Sequence, residues 1–186
     1  MKMTRNKSIA LFALLVLLMA ATRSHHFDSL THLPDASLAA FLLAGIYLPL
    51  AAFPALLLVA GLADYSAINY AGVSDWCFSP AYWFLIPTYA VMWYAGRFYA
   101  ARHSYSWRGL SLFAATSFAA TSAAFVISSG SFYLFSGRFA GMTALQYADS
   151  VAKYFGTYLT GAFLYLLIAA CMQIAAANLS RRSAHA

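Results

Sequence analysis

The chain contains no glutamate, and its five acidic residues are all aspartates: Asp28, Asp35, Asp64, Asp75 and Asp149. Charged residues of both signs make up 9% of its 186 positions, whereas a soluble domain carries roughly 25%. That deficit excludes a chain folded behind a water-facing surface. Cysteine is also scarce, with Cys77 and Cys171 far apart and no C-x-x-C pair, which excludes a thiol–disulfide relay of the usual kind. There is no G-x-x-x-x-G-K-[ST] loop, so ATP hydrolysis by that route is excluded as well. Nor does any basic run carry the interleaved aromatics expected of a nucleic-acid surface. The net charge of +6 therefore needs another explanation.

What the chain has in abundance is apolar sequence, with 63% of its residues hydrophobic. Six segments stand out, at about 8–22, 36–48, 51–66, 80–100, 108–128 and 150–177, separated by short polar breaks. A spanning helix needs roughly 20 residues. The pattern predicts an all-α fold in a single integral membrane domain, 1–186, with about six transmembrane helices. The first three segments are short, which predicts thin or tilted spans there. Pro49 and Pro54 divide the second from the third, because proline interrupts the helical bond ladder. One long kinked helix from Ala36 to Tyr70 is the alternative, and it would invert everything after it. Residues 1–22 also fit the charged and apolar regions of a signal peptide, with small residues at Ala20 and Ala21. They are read as a retained first span, because their removal would leave five.

Charge sets the orientation. With six spans and the N-terminus inside, Lys2, Arg5, Lys7, Arg97, Arg102, Arg108, Arg181 and Arg182 are cytoplasmic, while Arg23, Arg138 and Lys153 are outside. Basic residues accumulate on the cytoplasmic side. All five aspartates fall at outer ends or loops, in agreement. The expectation is a bacterial inner-membrane protein with both termini in the cytoplasm, its net charge reflecting orientation in the lipid bilayer.

The chemistry-bearing residues gather at the outer level. Cys77 sits in Ser74-Asp75-Trp76-Cys77-Phe78-Ser79-Pro80, at the mouth of the fourth segment. It has no second outer cysteine to pair with, in a compartment that oxidises thiols. Cys171 is read as a small buried hydrophobe. His25 and His26 follow the first segment and His32 lies just beyond, whereas His103 and His185 fall on the opposite side and read as interfacial cations. Asp64 lies near the outer end of the third segment, and an acid at membrane depth is costly enough to suggest function. Its plainer reading is that it snorkels or pairs with Arg138. Trp76, Phe78, Tyr82 and Trp83 flank the cysteine, and an interfacial aromatic belt accounts for some of them. The Ser128–Gly137 stretch is too apolar for an idle loop and is expected to form a lid or wall over an outer cavity. Small residues at Ala119, Ala120, Ala123, Ala124, Gly156, Thr160 and Gly161 predict close helix packing. Thiol, imidazole, carboxylate and aromatics at one depth suit a large, flat, partly apolar ligand with a metal centre.

The His25-His26 pair, Asp64, the Asp75-Trp76-Cys77-Phe78-Ser79-Pro80-x-Tyr82 stretch and the six spans together resemble the BtuM family of small bacterial cobalamin transporters. That family is related to the substrate-binding S-components of energy-coupling-factor (ECF) transporters. The resemblance covers nearly the whole chain, and the cysteine stretch is its specific part. It implies an S-component-like bundle with a vitamin B12 pocket open to the periplasm. Cys77 would face the cobalt and His25 would lie near the corrin, with Asp64 and Tyr82 as polar residues around the cysteine. It also implies a solitary transporter without a dedicated ATPase module. Related S-components contact their coupling subunit through A-x-x-x-A in the first helix, a pattern that is not clear in this chain.

Metal coordination deprotonates a thiol, so Cys77 is suited to an axial position on cobalt and His25 to the opposite face. Besides uptake, this chemistry suggests an enzyme-like role, with Cys77 promoting loss of cyanide from bound cyanocobalamin. A haem or copper protein, or a redox membrane subunit, using His25, His26 and Cys77 is the alternative.

Overall fold

The computed structural model describes residues 3–23, 33–70 and 72–183, with the backbone alone at Cys77 and at residues 179–183. Among these residues it has six α-helices: α1 (Arg5–Arg23), α2 (Ser37–Tyr47), α3 (Ala52–Tyr70), α4 (Leu85–Arg102), α5 (Trp107–Phe135) and α6 (Ala144–Ser183). Two 3₁₀ turns, Asp75–Cys77 and Pro80–Phe84, lead into α4. The all-α class expected from the sequence is the class observed.

Prolines set several of the boundaries. Leu48 is extended, at φ −107° and ψ 155°, because the residue before a proline is pushed out of the helical region. Helix α2 therefore stops at Tyr47, ahead of Pro49, and the long kinked helix from Ala36 to Tyr70 does not form. Pro54 falls in the first turn of α3, where its missing N–H has no intrahelical partner to lose. At the other end of the molecule Ser106 caps α5, its Oγ accepting from Gly109 N at 3.2 Å.

The stretch read as a lid, Ser128–Gly137, is instead the last turns of α5. Alternating serine and aromatic residues do not break a helix, and α5 runs to Phe135 with Ser136 as its cap, just ahead of Gly137, whose φ of +72° is left-handed. Glycine adopts that conformation without a Cβ penalty.

Among the described residues, four helices are long and apolar enough to cross a membrane: α1, α3, α5 and the Ala144–Asn178 part of α6. Helix α2 is different. Its 11 residues rise about 16 Å, roughly half of a hydrocarbon core, and Ser37 through Ile46 are all buried. A helix that is apolar all round belongs in the interior, and α2 is packed against α1, α3, α4 and α6. Its tightest partner is α4. A Cβ on Gly45 would collide with the Trp93 carbonyl, and one on Gly96 would collide with the Leu42 carbonyl, so the two backbones touch where both helices lack side chains. Phe41 stacks on Tyr89 at 4.3 Å just above this crossing.

Cross-helix contacts fix the helix directions. Residues 23, 37, 64, 82 and 89 meet at one end, while Tyr47, Tyr105 and Gln173 meet at the other. Phe84 stacks on Phe135, and Tyr147 donates to Ser129 O. Successive helices thus run in opposite directions, and the start of α1 and the end of α6 share the end of the bundle opposite Arg23.

The small residues divide unevenly between core and surface. Ala120 and Ala124 are buried in α5, whereas Ala119 is exposed. In α6, Gly161 lies against Pro34, but Gly156 and Thr160 are exposed. Cys171 is likewise exposed rather than buried, because the inward stripe of α6 runs through Ala162, Tyr165 and Leu166.

Candidate functional site

At the end where α1 and α3 finish and α2 and α4 begin, the interior holds a polar cluster centred on Arg23. This arginine is 3% exposed. Its Nε donates to Asp64 Oδ1 at 2.6 Å and its Nη2 to Asp64 Oδ2 at 2.7 Å. The planar fork of a guanidinium matches a carboxylate in this two-bond geometry. Nη1 donates to Ser37 Oγ at 2.8 Å and to Tyr89 Oη at 2.6 Å, and it lies 3.8 Å from Asp35 Oδ2. Asp35 in turn accepts from Ser37 N at 3.0 Å and Ser37 Oγ at 2.7 Å, which ties the start of α2 into the cluster.

Asp64 takes a third bond. Tyr82 Oη donates to its Oδ2 at 2.6 Å, so the 3₁₀ turn Pro80–Phe84 is tied to α3. The first turn, Asp75–Cys77, is capped by Ser74, whose Oγ accepts from Trp76 N at 3.2 Å. Phe78 packs on Tyr82 at 4.9 Å. Arg138 lies over the Trp76 ring at 3.9 Å, a cation–π contact that links this turn to the connection between α5 and α6.

Two of the residues singled out from sequence, Asp64 and Tyr82, are thus in direct contact. Cys77 lies in the turn between them, with its backbone placed and its side chain undescribed. His25, with His26, His32 and Asp28, lies outside the described residues. Of the plainer readings of Asp64, pairing with Arg138 is not the one observed: its counter-ion is Arg23, and Arg138 is engaged with Trp76. Arg23 was counted only as a flanking charge. The usable signal was Asp64 itself, because an ionised acid at membrane depth demands a paired cation and Arg23 closes the adjacent helix at the same level.

The opposite end holds a different feature. A cavity of about 270 Å³ is lined by Tyr47, Tyr99, His103, Tyr105, Trp107 and Gln173, among others. Gln173 bridges its walls, accepting from Tyr47 Oη at 3.2 Å and donating to Tyr105 Oη at 3.0 Å. His103 Nδ1 lies 2.8 Å from Tyr99 Oη. Burial holds the His103 imidazole below its ordinary pKa, which disfavours the cationic form expected from the sequence. Among the described residues, neither Asp64 nor Tyr82 lines this cavity.

No protein-family model matches the chain, and no curated protein matches it. Fold and composition define an all-α protein whose four long apolar helices are consistent with several membrane crossings.

Proposed function

We propose that this chain binds cobalamin in a pocket at its Arg23 end and carries it across the bacterial inner membrane, as a small transporter of the BtuM type with an S-component-like bundle. In this reading the Arg23 end is periplasmic and both termini are cytoplasmic. The cytoplasmic end then carries Arg5, Lys7, Arg97, Arg102 and Arg108, in keeping with the positive-inside bias. Cys77 ligates cobalt through its thiolate after displacing the vitamin's own base. His25 serves the opposite corrin face, and Asp64 and Tyr82 support the turn that carries the cysteine.

The observation that best supports this reading is the 2.6 Å bond between Tyr82 and Asp64. Residues singled out together by the family likeness meet next to the Cys77 turn. A thiolate donates charge to cobalt and weakens the bond opposite to it. In bound cyanocobalamin the cobalt–carbon bond would then break, with cyanide leaving with its electron pair as the cobalt–sulfur bond forms.

The visible spectrum of detergent-purified protein from cells supplied with vitamin B12 tests the reading. Corrinoid bands of a base-off, thiolate-ligated cobalt are expected. A haem or copper spectrum, or protein that retains no corrinoid, would overturn it.

A further inference from the structure

The Cys77 turn is poorly held by apolar contact. Trp76 is 51% exposed and Phe78 is 59% exposed, and a 3₁₀ turn has little hydrogen bonding of its own. The turn that follows it, Pro80–Phe84, is anchored by Phe84 stacking on Phe135 at 4.7 Å and by Tyr82 donating to Asp64 in α3. Phe78 packs on Tyr82 and so couples the Cys77 turn to this anchored one.

Asp64 has little capacity left for a ligand. A carboxylate offers about four acceptor sites, and three are occupied: one by Arg23 Nε on Oδ1, and two by Arg23 Nη2 and Tyr82 Oη on Oδ2. Its side chain is 14% exposed. The carboxylate is therefore a node between two protein groups. Arg23 fixes the plane of that carboxylate and is itself fixed from α2 by Ser37 and from α4 by Tyr89. Only the guanidinium fork reaches Asp64, Ser37 and Tyr89 together; a lysine ammonium is a point charge without that geometry.

From these contacts we infer that Arg23 is the positioning residue of this site. It orients Asp64, and through the Asp64–Tyr82 bond it sets where the Pro80–Phe84 turn is held against α3, and with it the Cys77 turn that Phe78 packs onto Tyr82. This extends the cobalamin reading, because the placement of Cys77 would govern its approach to cobalt. Asp64 and Tyr82 then act on the turn, with no direct contact to the vitamin required.

The test uses the full-length protein with Cys171→Ser, so that Cys77 is its one thiol, and reads the rate at which a maleimide labels it. Tyr82→Phe should raise that rate roughly tenfold, the equilibrium shift expected for loss of one charge-assisted hydrogen bond, and Arg23→Met, which removes both bonds to Asp64, by at least as much. The double variant should label no faster than the faster single variant, because both break one tether. Arg23→Lys should fall between wild type and Arg23→Met. Unchanged rates in both single variants, or additive effects in the double, would overturn the proposal. Should Arg23→Met fail to fold, Tyr82→Phe and Arg23→Lys carry the same comparison, with circular dichroism reporting the helix content of each.

A parallel titration with cyanocobalamin separates this proposal from the functional reading. Labelling that changes as expected in a protein that binds no corrinoid keeps the positioning role and removes the ligand. Corrinoid binding with unchanged labelling does the reverse.

Discussion

Arg23 and Asp64 stand 41 residues apart in the chain, and the guanidinium of one grips both oxygens of the other at 2.6 and 2.7 Å. Arg23 is buried and Asp64 half-buried, and Tyr82 joins Asp64 to the turn that follows Cys77. Removing one member strands the other without its partner, which costs more than the pair contributes as a unit. Arg23→Met should therefore destabilise the protein by about 3–5 kcal/mol, measured by denaturant unfolding in detergent. Asp64→Asn keeps the side-chain volume and leaves the buried arginine with Asp35, at 3.8 Å, as its counter-ion, so a smaller loss is expected. Arg138→Ala gives the contrast. It removes only the contact with Trp76 and should cost about 1 kcal/mol or less. A large loss from Arg138→Ala with a small one from Arg23→Met would reverse the assignment of the ion pair.

The backbone contact between α2 and α4 should tolerate no added atom. Gly45→Ala and Gly96→Ala each place a methyl group against a carbonyl of the facing helix and should cost about 1–3 kcal/mol or more. Gly61 in α3 has open space around its Cβ position, so Gly61→Ala should be neutral or stabilising by up to about 1 kcal/mol. Equal effects at all three positions would show that the helices are not in backbone contact.

His103 should make the opposite end of the bundle sensitive to acid. Burial lowers its pKa, so the unfolded chain binds the proton more readily than the folded one. Stability from the neutral ring is complete above the ordinary histidine pKa of about 6.5. It falls as the pH drops through that value towards the lower folded one. Melting temperatures of wild type and His103→Gln, compared from pH 7.5 to pH 5, should diverge on the acid side, with wild type losing more. Parallel curves would remove His103 as the cause.

Cobalt ligation gives an ordered series. Cys77→Ala should shift the spectrum of bound vitamin and weaken or abolish uptake, whereas Cys171→Ala should be silent, since Cys171 lies on the outward face of α6. Asp64→Asn and Tyr82→Phe should fall between them, at about 10–100-fold in affinity or activity, the usual effect of losing a group that supports a metal ligand. Released cyanide, followed alongside the spectrum, should drop to the background rate in Cys77→Ser. Equal release by wild type would remove the chemistry and leave binding intact.

Topology reporters complete the set. A fusion after Asn178 should report cytoplasm, and one placed in the 72–75 connection should report periplasm. A periplasmic signal from the C-terminal fusion would invert the orientation and move the Cys77 turn to the cytoplasmic side.

Composition alone determined the all-α class, because a chain with 9% charge and long apolar runs has few ways to satisfy its backbone outside helices. Proline placed the break between α2 and α3, since Pro49 acts on the residue directly before it. Asp64 stood out because an acid in an apolar segment is anomalous wherever the segment ends up. Tertiary structure decided the rest. Arg23 reads in sequence as one more flanking cation, and only the antiparallel packing of α1 and α3 turns it inward onto Asp64. Hydropathy made α2 a short span, but whether eleven apolar residues face lipid or protein depends on what surrounds them, and here α1, α3, α4 and α6 do. The exposure of Cys171 and Ala119, both expected to pack inside the bundle, has the same cause. A uniformly apolar helix gives no amphipathic signal to show which face meets its neighbours, so burial on α5 and α6 was settled by packing.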